Sequence, residues 1–93
     1  MGKPENAVEQ HLRRLVESRG GICWKFISSR SGVPDRVVVL EGRTVFVETK
    51  APNGRLSKLQ QVRIAELRAA GAEVRVLPSK TEVDQFLAEF ITP

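Results

Sequence analysis

Asp35-Arg36-Val37-Val38-Val39-Leu40-Glu41-Gly42-Arg43-Thr44-Val45-Phe46-Val47-Glu48-Thr49-Lys50 decides the fold. Asp35 to Leu40 is almost wholly apolar, the pattern of a strand covered on both faces. Glu41-Gly42-Arg43 is too short to do more than reverse the chain. Thr44 to Lys50 then forms a second strand, so the two make an antiparallel hairpin. Side chains alternate along a strand, placing Glu48 and Lys50 on one face and Thr49 on the other. Asp35 follows Pro34, whose ring fixes its own φ and restricts Val33, so the chain enters the hairpin through a defined bend. Two acids and a lysine can therefore meet at the open end.

Outward from the hairpin, helices and strands read in turn. Pro4 and Glu5 open a first helix whose Val8, Leu12, Leu15 and Val16 recur at helical spacing until Gly20-Gly21. Ile22 to Ile27 alternates as a strand, with Ile22, Trp24 and Phe26 read as its buried face. Ser28 to Gly32 is a polar loop. Beyond the hairpin, Ala51-Pro52-Asn53-Gly54 breaks the sheet. Ser57 and Gln60 have capping-box spacing for a helix running to Gly71. Glu73 to Leu77 is a short strand, and Thr81 caps a last helix with an apolar stripe of Val83, Phe86, Leu87 and Phe90. The expected fold is α/β, in the order α-β-β-β-α-β-α, with a mixed sheet flanked by helices. Residues 1–93 read as one domain, with no repeat or long linker.

Composition narrows the chemistry. Charged residues are 28% and hydrophobic ones 41% of the chain, an ordinary globular balance. Lysine and arginine outnumber aspartate and glutamate by 15 to 11, a net +4 that suits a polyanionic partner without requiring one. A single cysteine, Cys23, and a single histidine, His11, rule out an internal disulfide and the usual zinc spacings. Both read as structural. A bound metal would be a hard ion on oxygen ligands, Mg²⁺ or its substitute Mn²⁺. With no signal peptide and no apolar run long enough to span a bilayer, the expected location is cytoplasmic, with no membrane partner.

Two carboxylates beside a lysine suit phosphodiester hydrolysis. The acids can hold a divalent cation, and the lysine can orient water or stabilise charge on the phosphate. Each residue also has a plain structural account. Asp35 could begin a turn, and Glu48 and Lys50 could guard an edge strand. Gln60 could simply complete the capping box, although it shares a face with Ile64 and Leu67. Glu9 and Glu5 could complement the helix dipole. Arg30, Ser31, Arg36, Arg55, Lys58 and Arg63 surround the proposed site and are candidate phosphate contacts. Trp24 reads as core rather than as a platform for stacking bases.

Gly32-Val33-Pro34-Asp35-Arg36, with Asp35 thirteen positions before Glu48 and followed by Glu48-Thr49-Lys50, resembles the PD-(D/E)xK nuclease signature. More narrowly, Cys23-Trp24-Lys25-Phe26, Val45-Phe46-Val47-Glu48-Thr49-Lys50-Ala51-Pro52 and Leu56-Ser57-Lys58-Leu59-Gln60 resemble a stand-alone virus-type replication-repair nuclease (VRR-NUC) domain, with a restriction-endonuclease-like core. The resemblance implies that Asp35 and Glu48 ligate Mg²⁺ through carboxylates and Thr49 through its carbonyl. Lys50 would position or activate water, and Gln60 would support the site. An acid on the first helix is also implied, Glu9 or, one turn earlier, Glu5. Thr49 stands where many relatives carry leucine or isoleucine, and Lys58 where proline is common. Stand-alone members resemble homodimeric resolvases of four-way (Holliday) DNA junctions. The same chemistry on flaps, nicks or generic duplex is the alternative, as is a non-catalytic DNA-binding module.

Overall fold

The computed structural model describes residues 6–50 and 54–90. The expected opening at Pro4 and Glu5 and the break at Ala51-Pro52-Asn53 lie outside the described residues. The elements run α1 (Ala7–Ser18), β1 (Ile22–Lys25), β2 (Arg36–Leu40), β3 (Arg43–Thr49), α2 (Lys58–Ala69), β4 (Glu73–Leu77) and α3 (Lys80–Ala88), in the expected α-β-β-β-α-β-α order. The sheet is mixed: β1-β2-β3 are antiparallel neighbours and β4 adds in parallel beside β3.

The hairpin closes on the two residues between Leu40 and Arg43, which pair directly. Glu41 at φ 51° and Gly42 at φ 80° both adopt positive φ, as a type I′ turn demands. That turn sets the register, so Arg36 pairs with Val47 and, one step further out, Asp35 falls opposite Glu48.

One face of the sheet carries the core. Cys23, Val38, Leu40, Val45, Val47 and Leu77 pack against Val8, Leu12 and Val16 of α1 and Val83, Phe86 and Leu87 of α3, with Phe90 beyond. His11 and Asp84 join α1 to α3 at 2.7 Å, and Arg19 donates to the Leu87 carbonyl at 2.7 Å. The structural readings of His11 and Cys23 agree with this packing. The other face is roofed by α2, which lies over β4. Among the described residues, no helix is long and apolar enough to cross a membrane.

Two expectations are corrected. Trp24 is 65% exposed while Cys23, at 2%, is the buried side of β1. Because β1 is an edge strand and α2 sits at the opposite edge, the part of that face bearing Trp24 lies beyond the roof of α2. α3 is capped by Ser79, whose hydroxyl accepts from the Glu82 N–H, and not by Thr81. The cap of α1 is Asn6, which accepts from the Glu9 N–H at 2.7 Å.

Candidate active site

Glu48 and Lys50 lie two residues apart at the end of β3 and share the face that α2 roofs. The Glu48 side chain is buried, with the residue only 6% exposed. Its Oε2 is 3.4 Å from Lys50 Nζ, and Gln60 Nε2 donates to the same oxygen at 3.4 Å. Asp35 completes the group, opening to solvent opposite Glu48.

Gln60 serves two partners at once. Its Oε1 accepts from the Ser57 N–H at 2.9 Å while the Ser57 hydroxyl accepts from the Gln60 N–H, which is the capping box. The amide nitrogen remains to reach Glu48. Opposite ends of one amide thus complete the capping box and reach Glu48.

Both acids are held above their ordinary values. Burial pushes the Glu48 carboxyl up, and the Asp35 charge adds to it, against the opposing pull of Lys50 and an Asp35 backbone N–H. Asp35 rises through desolvation first and the Glu9 charge second, with Arg36 and Lys25 opposing. The donors drawn together and partly desolvated here are hard carboxylate oxygens, which fits Mg²⁺ or Mn²⁺. Among the described residues, no three His, Cys, Asp or Glu side chains converge as a metal cluster. A cation would therefore rest on these two carboxylates and a carbonyl such as that of Thr49, whose side chain is buried.

Glu9 is also buried, and its Oε2 accepts from Arg36 Nε at 3.0 Å. That bond corrects the reading of Arg36 as a phosphate contact. The residue is 3% exposed and also donates to the Cys23 carbonyl at 3.3 Å, so its charge is spent inside the protein. Glu5 lies outside the described residues. Arg30, Ser31, Arg55 and Lys58 are exposed. Arg63 is anchored, donating to the Ser31 carbonyl at 3.1 Å and pairing with Glu66 at 2.9 Å. Lys25 acts on Asp35 yet was not among the expected site residues. Its only signal was its place beside Trp24 on the strand that pairs with β2.

Comparisons with known proteins agree with this architecture. The model of the VRR-NUC domain matches residues 3–81. A phage protein described as "Putative nuclease p44", from Acyrthosiphon pisum secondary endosymbiont phage 1, is 45% identical over 78 residues, covering 82% of this chain and 84% of the relative. Fanconi-associated nuclease 1 of Homo sapiens is 38% identical over 78 residues, which is 72% of this chain but 8% of that much longer protein. A solved structure of a VRR-NUC domain superposes with a TM-score of 0.81 at 31% identity, covering 90% of this chain and 94% of that one. Matched over most of its length in both sequence and fold, the chain belongs to the VRR-NUC family of nuclease domains.

Proposed function

We propose that this nuclease is a Mg²⁺-dependent, structure-selective DNA endonuclease, working as a homodimer on four-way junctions. The observation that carries the reading is the meeting of Lys50 and Gln60 on one oxygen of Glu48, opposite Asp35. Asp35, Glu48 and the Thr49 carbonyl are the residues that would hold Mg²⁺, with Mn²⁺ as a substitute. When bound, the cation supplies a positive charge that polarises a phosphodiester and makes nearby water more acidic.

The chain's own residues do the rest. Gln60 fixes the Glu48 carboxylate by donating to Oε2, so the ligand is oriented before substrate arrives. Lys50, half-buried, orients the attacking water and offsets charge that develops on the phosphate. Glu9 is a positioning residue: it holds Arg36, and Arg36 holds the start of β2 from which Asp35 projects. Arg30, Ser31, Arg55 and Lys58 contact the phosphate backbone and set register without reading bases.

A four-way junction needs two symmetric cuts, and each copy of the site described above makes one; a two-fold dimer supplies the pair. The test is a panel of labelled four-way junction, flap, nicked and linear duplex substrates with Mg²⁺, alongside sedimentation of the protein. Paired cuts in the junction by a dimer support the reading. Equal cutting of all substrates by a monomer contradicts the junction assignment and leaves a general nuclease.

A further inference from the structure

Beside the proposed active site lies a cavity of about 290 Å³, walled by Phe26, Val33, Phe46, Leu67 and Ala70 and rimmed by Ser28, Arg30, Arg63 and Glu66. Several lining residues are a short step from a site residue. Phe46 precedes Glu48 by two residues on the same face of β3, Val33 precedes Asp35 by two, and Arg63 follows Gln60 by about one helical turn. Phe26 donates its N–H to the Asp35 carbonyl at 2.8 Å, so its ring stands in the cross-strand row that contains Asp35 and Glu48. The cavity and the carboxylates are neighbouring parts of one surface.

We propose that this cavity receives a single unpaired nucleobase of the DNA strand being cut, next to the scissile phosphate. The inference rests on the nuclease reading of the adjoining site. Its chemistry argues for a base. The volume lies at the lower limit of roughly 300 Å³ for small-molecule pockets, so it suits one ring system and little more. Phe26 and Phe46 meet edge to face, centroids 5.4 Å apart at 72°, which leaves aromatic surface toward the cavity for stacking. Phe26 remains 37% exposed, so the wall is accessible from solvent. Exposed Arg30 at the rim can meet the phosphate attached to such a base, while Arg63 fastens the Ser28–Ser31 loop to α2 and keeps the walls apart. A base can lie against these rings only when it has left the duplex stack, which branch points provide at low cost. The pocket thus gives the site a physical reason to prefer branched over continuous duplex DNA.

The experiment uses a synthetic four-way junction carrying one 2-aminopurine at a time around the branch, with Mg²⁺, in a Lys50→Ala background that leaves the DNA intact. Binding is followed by anisotropy and base unstacking by 2-aminopurine emission. The expected result is a rise in emission at one position only. Phe26→Ala removes that rise and weakens affinity about 5- to 150-fold, the range for one base on an aromatic side chain. Ala70→Phe, which fills the cavity from the exposed C-cap position of α2, has the same effect without touching the core. Tight binding with no emission change at any position, or with both variants equal to the background protein, overturns the pocket while leaving the nuclease reading in place. Absence of any binding to the junction overturns the pocket together with the junction assignment.

Discussion

Glu9 on α1 and Arg36 at the head of β2 form an ion pair at 3.0 Å in which both side chains are buried, at the point where the chain turns from Pro34 and Asp35 into the sheet. The pair joins a helix to the strand that presents Asp35, across 27 residues of sequence. Two charges taken from water are tolerated only together. Removing one strands the other, so Glu9→Ala is expected to cost about 3–5 kcal/mol in chemical denaturation. Replacing both with apolar residues of similar size is expected to cost much less. A single-variant loss below about 1 kcal/mol, the range of exposed pairs, would contradict the structural weight given to this bond.

The two-ended amide of Gln60 separates stability from activity. Gln60→Glu retains an oxygen for the Ser57 N–H but sets a third carboxylate against Glu48. Helix stability is expected to hold within about 1 kcal/mol, the usual worth of a cap, while cleavage falls at least tenfold. Gln60→Ala loses the acceptor for the Ser57 N–H and the contact to Glu48, while the Ser57 hydroxyl still accepts from the backbone N–H at position 60. Thermal melts beside cleavage rates read the split. If Gln60→Glu cut DNA as well as the wild type, the bond to Glu48 would have no part in the site.

Glu48 links pH to stability. Its carboxyl lies above the ordinary value of 4.5 because burial and Asp35 oppose ionisation, and Asp35 lies above 3.8 for similar reasons. A carboxyl raised on folding stabilises the fold fully below its unfolded value, and that contribution is lost as pH climbs through the folded value. In chelator, wild-type stability is therefore expected to decline as pH rises from 4.5 toward neutrality. Glu48→Gln should flatten that decline and be the more stable protein at pH 7. Mg²⁺ at a hundred times its Kd should restore about 2.7 kcal/mol to the wild type and nothing to Glu48→Gln. A wild-type profile that rises with pH in chelator would contradict the charge balance described for this pair.

Much of this was legible in the sequence because it is local. The hairpin follows from an apolar run, a two-residue turn and a second run; Asp35, Glu48 and Lys50 meet because alternation and register require it. The Ser57–Gln60 box and the Val83, Phe86, Leu87 and Phe90 stripe are equally local. What failed depends on which surface the rest of the chain covers. The bulk of Ile22, Trp24 and Phe26 pointed inward by hydrophobicity, yet α1 packs on the Cys23 side and α2 does not extend over β1. Arg36 looked like a surface cation because its partner, Glu9, is distant in sequence. Lys25 was missed for the same reason, since its influence on Asp35 exists only once β1 lies beside β2.

The exposure of Trp24 is directly checkable, since it is the one tryptophan of the chain. Its emission is expected to be that of a water-exposed indole and to be quenched readily by acrylamide. Blue-shifted emission that resists quenching in the monomer would contradict the face assigned to β1.

The central claim is that Asp35, Glu48 and Lys50 form one metal-dependent hydrolytic site, and cleavage by the Lys50→Ala variant tests it most directly. Wild type and variant are compared on a labelled four-way junction, with Mg²⁺ and with chelator, after circular dichroism has shown both to be folded. Metal-dependent cutting by the wild type is expected, with a loss of at least a hundredfold in the variant, in keeping with the removal of one preorganised charge from a catalytic site. Cutting by Lys50→Ala at the wild-type rate, or cutting by the wild type that continues undiminished in chelator, would contradict it.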